Sequence, residues 1–238
     1  MVRPFLTAEW RHLVFLNYEV DPLVLKRFLP HGLELDLWHG QCFASIVGFM
    51  FYSTKLAGWP IPFHRTFPEV NLRFYVTREM GSDKRRGVVF IREVAPRRAV
   101  CWVARSIYNE QYCYRPMKAE IRAAHGDIGR IEYSWRSSGQ QFAVDAEFTE
   151  QLEAPEKSSL AKFIIEHYWA YTRQRNGRVK EYQVVHRPWH IWPTKAHTVV
   201  GDFSRFYGSE FANMFNNSPV SAFVADGSPV EVYPGHLI

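Results

Sequence analysis

Between Glu69 and Val76 the chain reads Glu-Val-Asn-Leu-Arg-Phe-Tyr-Val, a strict polar and apolar alternation with the two-residue period of a β-strand. Glu69, Asn71, Arg73 and Tyr75 share one side of that strand, and Val70, Leu72, Phe74 and Val76 share the other. A polar row of this kind faces either bulk water or the inside of a barrel. Inside a barrel, a carboxylate and a guanidinium on one row form an organised site.

With 238 residues, 47% hydrophobic and 16% aromatic, the chain can bury a large core, and residues 1–238 are read as a single domain. The net charge of +5 is spread over short clusters, Lys84-Arg85-Arg86, Arg97-Arg98 and Arg173 to Lys180. These read as solvated turns and rims, and no nucleic-acid partner is expected. Cys42, Cys101 and Cys113 are odd in number and widely spaced, with no signal peptide before them. The expected location is a reducing, cytoplasmic one. No stretch is apolar for long enough to span a bilayer, so no membrane partner is expected either.

The remaining pattern is rich in strands. Strands are expected at Leu13 to Tyr18, Leu33 to Leu37, Cys42 to Tyr52, Val88 to Val94, Arg98 to Asn109, Ala119 to Ala124, Ile128 to Arg136, Gln141 to Phe148, Lys180 to His186, Lys195 to Val200 and Ser221 to Tyr233. Short turns between several of them imply antiparallel pairing. Asp21-Pro22 predicts an N-cap followed by proline at the first position of a short helix. Further helices are expected at Ser159 to Thr172, with Ser158 as cap, and near Ser209 to Phe215. The prolines of Gly58 to Arg65 predict a long irregular connection, and the aromatic residues of Trp59 to Phe67 suit a lid or a contact within a homo-oligomer.

Several residues carry candidate chemistry. Reading Arg98 to Asn109 as a strand places Arg105 and Asn109 on one face, followed by Glu110, Tyr112 and Lys118. Brought beside Glu69 and Arg73, these would form a pocket with convergent polar groups and aromatic walls. The competing reading is a surface ion-pair cluster. His186, His190 and His197 do not make a metal set, because Pro188 and Pro193 break any helix that would align them. His167 lies on an apolar stripe and reads as a buried histidine rather than a ligand. Cys113 has no base close in sequence and reads as a structural thiol. Neither a metal nor a cofactor is expected.

The runs Leu13-Val-Phe-Leu-Asn-Tyr-Glu-Val-Asp-Pro22, Leu29-Pro-His-Gly-Leu-Glu34, Val70-Asn-Leu-Arg-Phe-Tyr-Val76, Tyr108-Asn-Glu110, Tyr207-Gly208 and Ala225-Asp-Gly-Ser-Pro-Val230 resemble the YqjF-like family of uncharacterised bacterial proteins. That family in turn resembles acetoacetate decarboxylase. The resemblance implies a mainly β fold: a closed, cone-like antiparallel β-barrel with an internal polar cavity and a few peripheral helices. In acetoacetate decarboxylase a Pro-Lys-Lys triplet supplies a lysine that forms a Schiff base, and a neighbouring cation activates it. Here the comparable triplet is Pro116-Met117-Lys118, with Met117 at the place of the reactive lysine. A thioether cannot form an imine, although a one-residue shift of the loop would bring Lys118 to the cavity. The resemblance makes Glu69 the counterpart of a barrel glutamate and Arg11 that of an N-terminal arginine.

Three functional classes follow. The first is a pocket for a small anionic carbonyl or carboxylate compound, with or without turnover. In it Arg73 and Arg105 hold the anion, Glu69 moves a proton, and Asn71, Tyr75, Asn109, Glu110 and Tyr112 complete the ligand contacts. The second is an inactive ligand-sensing or protein-interaction module on the same fold. The third, nucleic-acid binding through basic turns, has no recognised motif behind it.

Overall fold

The computed structural model describes residues 3–124 and 128–238. In chain order the strands are β1 (Leu6–Glu19), β2 (Glu34–Leu35), β3 (Phe43–Leu56), β4 (Trp59–Pro60), β5 (Phe67–Met80), β6 (Asp83–Ala95), β7 (Tyr112–Tyr114), β8 (Met117–Arg122), β9 (Gly129–Ser137), β10 (Gln140–Phe148), β11 (Trp169–Arg173), β12 (Val179–His186), β13 (Ile191–Val200), β14 (Ser221–Val232) and β15 (His236–Leu237). The helices are short: α1 (Pro22–Lys26), α2 (Arg98–Val103), α3 (Leu160–Ile165), α4 (Phe203–Tyr207) and α5 (Ala212–Phe215). Among the described residues no helix is long and apolar enough to cross a membrane.

Seven strands close on themselves in the order β1, β3, β5, β6, β11, β12, β14 and back to β1. The resulting barrel is antiparallel except where β11 meets β6, a parallel seam pairing Trp169 with Gly87 and Ala170 with Val88. Gly87 has no side chain there for a spatial reason: a Cβ would lie 2.6 Å from Tyr171 Cε2 and 2.7 Å from Trp169 O. β7 also joins β6 in parallel. Antiparallel pairing thus fails at these seams, because β7 and β11 return to β6 through helical connections rather than hairpins.

From β14 the sheet continues outward through β13, β10, β9 and β8. Tyr133, Trp135 and Phe142 of this outer layer join one hydrophobic cluster with Val70, Leu72 and Phe74 of β5. The Tyr133 ring takes the space above Gly48, where a Cβ would lie 2.5 Å from its Cδ2. Its hydroxyl donates to the carbonyl of His12 at 2.8 Å. The apolar side of the Glu69 to Val76 row therefore packs between two layers, and Glu69, Asn71 and Arg73 turn into the barrel.

The Asp21 side chain accepts from Leu23 N at 2.8 Å with Pro22 opening α1, as the Asp-Pro pair predicts. Two expected elements differ. Arg98 to Asn109 is not a strand: α2 runs into a π-helical turn over Ala104–Tyr108, which Asn109 ends in the left-handed conformation at φ 58°. Ala99, Val100, Val103 and Ala104 line the interior, a helical spacing that the run of strand-favouring side chains conceals. The helix expected over Ser159 to Thr172 covers only Leu160–Ile165. Its cap is Ser159, which accepts from Lys162 N at 3.2 Å; His167 and Tyr168 lie in the connection that follows, and Tyr171 belongs to β11.

The basic cluster Lys84-Arg85-Arg86 is more than a solvated turn. Arg85 and Arg78 both hold the fully buried Glu181 carboxylate, and Arg86 Nε donates to Asp36 at 2.7 Å.

Candidate functional site

The barrel encloses a cavity of about 300 Å³ to which every one of its seven strands contributes. The α2 helix, the π-turn and the loop carrying Ile61 and His64 complete its wall. Most of the wall is aromatic or aliphatic. Against that background the polar groups are few: Thr54 from β3, His64 from that loop, Glu69, Asn71 and Arg73 from β5, Glu93 from β6, Tyr108 in the π-turn, Glu110 and Tyr112 after it, Tyr182 and His186 from β12, and His167.

The carboxyls are packed among phenols and hydroxyls. Glu69 is 2% exposed. Its Oε2 accepts from Tyr112 Oη at 2.6 Å and its Oε1 from Asn71 Nδ2 at 3.2 Å. Glu110 accepts from Thr172 and, at 2.7 Å, from Tyr182. Glu93, 3% exposed, lies opposite Asn71 in the β5–β6 register and beside Tyr112 in the β6–β7 register. Among the described residues its Oε2 has no partner, although Tyr112 acts on the carboxyl through a side-chain hydrogen bond.

Removal from water is the main electrostatic force on all three. Burial pushes Glu69 and Glu110 up to about 7, against the pull of the hydrogen bonds each accepts. Glu93 is raised well above its ordinary value, first by burial and then by the charges of Glu110 and Glu69. Burial likewise raises Tyr112 well above the ordinary phenol range, so it stays protonated and donates.

Arg73 has the opposite problem. It is 9% exposed, and its guanidinium lies 5.2 Å from the Phe15 ring centre and 5.8 Å from that of Tyr75. No hydrogen bond or ion pair to it exists among the described residues, and its Nε is buried without a partner. A buried guanidinium with no hydrogen-bonded counter-ion costs several kcal/mol.

The two buried histidines, His167 and His186, add no positive charge at neutral pH. Burial lowers both His167 and His186 to about 4. His167 Nε2 lies 3.0 Å from Asp36 Oδ2. Burial opposes ionisation of Asp36, but the hydrogen bonds of His167 and Arg86 hold it below its ordinary value. The carboxylate therefore accepts, and neutral His167 donates from Nε2. His186 donates from Nδ1 to the carbonyl of Arg187 at 2.8 Å and stacks on Trp189 at 4.2 Å.

Of the residues singled out from sequence, Glu69, Asn71, Arg73, Glu110 and Tyr112 meet in this cavity. Of the other site candidates, Tyr75, Arg11, Arg105, Asn109 and Lys118 do not line it. Tyr75 is buried behind the wall, with its hydroxyl 2.6 Å from Ser45 Oγ, which donates to Asn17. Arg11 pairs with Glu9 at 2.8 Å and donates to the Gly227 carbonyl. Arg105 is exposed because the helical path of its segment turns it to solvent. Asn109 spends its amide on the carbonyl of Arg173 at 2.8 Å.

Lys118 sits on β8 of the outer layer, exposed and opposite Ser134, while Met117 packs against the hydrophobic cluster beneath. No lysine is among the described residues that line the cavity. Glu93 and Tyr182 are the wall residues missed in the sequence. Glu93 and Arg92 are the two charged residues that interrupt the apolar run from Val88 to Ala95, and that was the available signal.

The chain resembles proteins of known sequence and structure. The family model DUF2071, described as an uncharacterized conserved protein, matches residues 7–229. The uncharacterized protein YqjF of Bacillus subtilis (strain 168) is 33% identical over 204 residues, covering 84% of this chain and 80% of that protein.

Solved structures share the fold at low identity. An acetoacetate decarboxylase-like enzyme from Sphingomonas wittichii RW1 superposes with a TM-score of 0.66 at 12% identity, over 100% of this chain and 94% of its own. The acetoacetate decarboxylase of Legionella pneumophila gives 0.65 at 11%, over 100% and 88%. The enduracididine biosynthesis enzyme MppR, in its complex with pyruvate, gives 0.65 at 14%, over 100% and 91%. With its closed seven-stranded barrel of acetoacetate decarboxylase-like fold, the chain belongs to the DUF2071 family of uncharacterized conserved proteins.

Proposed function

We propose that the barrel cavity binds a small carboxylate or 2-oxo acid and that Glu69 serves as its proton-transfer group. The observation that carries this reading is Arg73, a buried guanidinium on the cavity wall with no hydrogen-bonded or ion-paired partner among the described residues. A bound carboxylate supplies that partner and accepts the fork of N–H donors. The aromatic walls suit the remainder of a small organic acid.

Glu69 supports the chemical half of the reading. A carboxyl near 7 divides its time between acid and base at neutral pH, the condition under which general acid–base transfer is most effective. Tyr112 and Asn71 hold it from two sides and fix its orientation. With Lys118 on the outer layer and Met117 beside it, the reaction proposed uses no imine. It is proton removal or delivery next to a carbonyl that Arg73 helps to anchor. MppR in complex with pyruvate lends support, because a protein of the same fold binds a 2-oxo acid.

The test is binding by calorimetry and thermal shift with pyruvate, 2-oxobutanoate, acetoacetate and the matching unsubstituted carboxylates. A ligand selective for the folded state raises the melting temperature by mass action. At least one acid is expected to bind wild-type protein, and Arg73→Met is expected to abolish that binding. A flat response of the wild type across the panel overturns the reading.

A further inference from the structure

Three carboxyls, Glu69, Glu93 and Glu110, share the cavity wall with one guanidinium, Arg73, and burial raises all three, so that they resist ionising together. The two buried histidines of the wall, His167 and His186, are neutral at pH 7. A carboxylate ligand satisfies Arg73 and leaves the acidic end as it was.

That end also carries unfilled hydrogen-bond acceptors. Asn71 is 2% exposed; its Nδ2 is committed to Glu69, which turns its Oδ1 away, and that oxygen has no partner. Glu93 Oε2, directly across the β5–β6 register from it, has none either. Two buried oxygens on one cavity wall are left without partners among the described residues, and N–H donors from a ligand would serve both once Glu93 ionises. Trp10 Nε1 and Thr54 Oγ1 are also unpartnered on the wall, but they belong to β1 and β3 and carry no charge.

We infer that the ligand of this cavity is dipolar: a carboxylate or 2-oxo acid that also bears an ammonium, amidinium or guanidinium group, whose N–H donors meet Asn71 Oδ1 and Glu93 Oε2. The inference rests on the proposed binding of an acid at Arg73 and adds the second end. Spacing sets the length. Asn71 and Arg73 are two residues apart on β5, which separates their backbone positions by roughly 7 Å. A ligand with its acid and basic groups a similar distance apart spans both, its stem lying against the aromatic wall. The basic group supplies the positive charge that three clustered carboxyls lack, and it lets them ionise together.

Matched pairs of ligands test this. Binding of 4-guanidinobutanoate and pentanoate, and of 6-aminohexanoate and hexanoate, is measured by calorimetry at pH 8. In each pair the acid is shared and only the far end changes. At least one basic member is expected to bind roughly tenfold or more tightly than its neutral partner, the scale of one or two charge-assisted hydrogen bonds. Glu93→Gln is expected to bring that ratio down to about threefold or less.

Equal or weaker binding of both basic members, with the neutral acids still binding, overturns this inference and leaves the acid site at Arg73 standing. Absence of binding by all four ligands overturns both. The wild-type ratio decides without any variant, so a poorly folding Glu93→Gln protein does not shield the idea.

Discussion

Tyr112 donates its phenolic hydrogen to Glu69 Oε2 across 2.6 Å, joining a residue that follows the π-turn to one on the barrel wall. The bond favours the charged form of a carboxyl that burial pushes the other way. Removing it with Tyr112→Phe should raise Glu69 above its value of about 7, by roughly one pH unit for a charge-assisted bond. Carbon-13 NMR titration of labelled glutamate side chains reads this directly. A Glu69 resonance that titrates at or below the wild-type midpoint in the variant would show that the phenol does not stabilise the carboxylate.

Burial of these acids also ties stability to pH. Glu69 titrates near 7 when folded against an ordinary value of 4.5, so between those limits the folded chain keeps a proton that the unfolded chain has released. Stability from this group is complete below about 4.5 and is lost as pH rises through about 7. His167 and His186, at about 4 against 6.5, act in the reverse sense: their contribution is present above about 6.5 and lost as pH falls through about 4. The wild-type profile mixes the two. Glu69→Gln removes only the first and keeps an acceptor for Tyr112. Relative to wild type, it should gain about 1–3 kcal/mol between pH 4.5 and pH 8 in urea unfolding. A difference that stays constant with pH would refute the raised carboxyl.

The sequence carried the wall of the barrel further than its closing end. Glu69, Asn71 and Arg73 were legible because strand periodicity is local, and each lines the cavity as the alternation requires. Arg105 and Asn109 were not, because the π-turn that redirects them depends on how α2 meets the barrel. Val100, Cys101, Trp102 and Val103 carry no helix signal of their own. Tyr75 keeps the inward phase of its row yet lies behind the cavity, where Ser45 takes its hydroxyl. Glu93 faces Asn71 only through the β5–β6 pairing, which no local pattern encodes.

Arg73 offers a trade between stability and binding. Its guanidinium is buried without a hydrogen-bonded or ion-paired partner among the described residues, while it lies near the rings of Phe15 and Tyr75. Methionine keeps much of the stem's volume and discards the charge. Arg73→Met should therefore unfold at higher urea, with a gain of about 1–3 kcal/mol, while losing carboxylate binding. Destabilisation by the same amount would instead show that the guanidinium is satisfied in the folded protein.

Gly227 holds the cavity wall from the other side. Its φ of +75° suits glycine, and a Cβ there would lie 1.9 Å from the carbonyl oxygen of Trp10 and 2.7 Å from Leu13 Cδ1. Trp10 and Leu13 both line the cavity, and backbone cannot yield as a flexible side chain can. Gly139, between β9 and β10, has a similar φ of +80° with open space around it. Alanine at Gly139 should cost about 1 kcal/mol, the conformational penalty alone. Alanine at Gly227 adds a collision with β1 and should cost at least about 2 kcal/mol more, with a shift in tryptophan emission as Trp10 moves. Equal losses for the two variants in urea unfolding would mean that β14 and β1 are not packed as closely as their register places them.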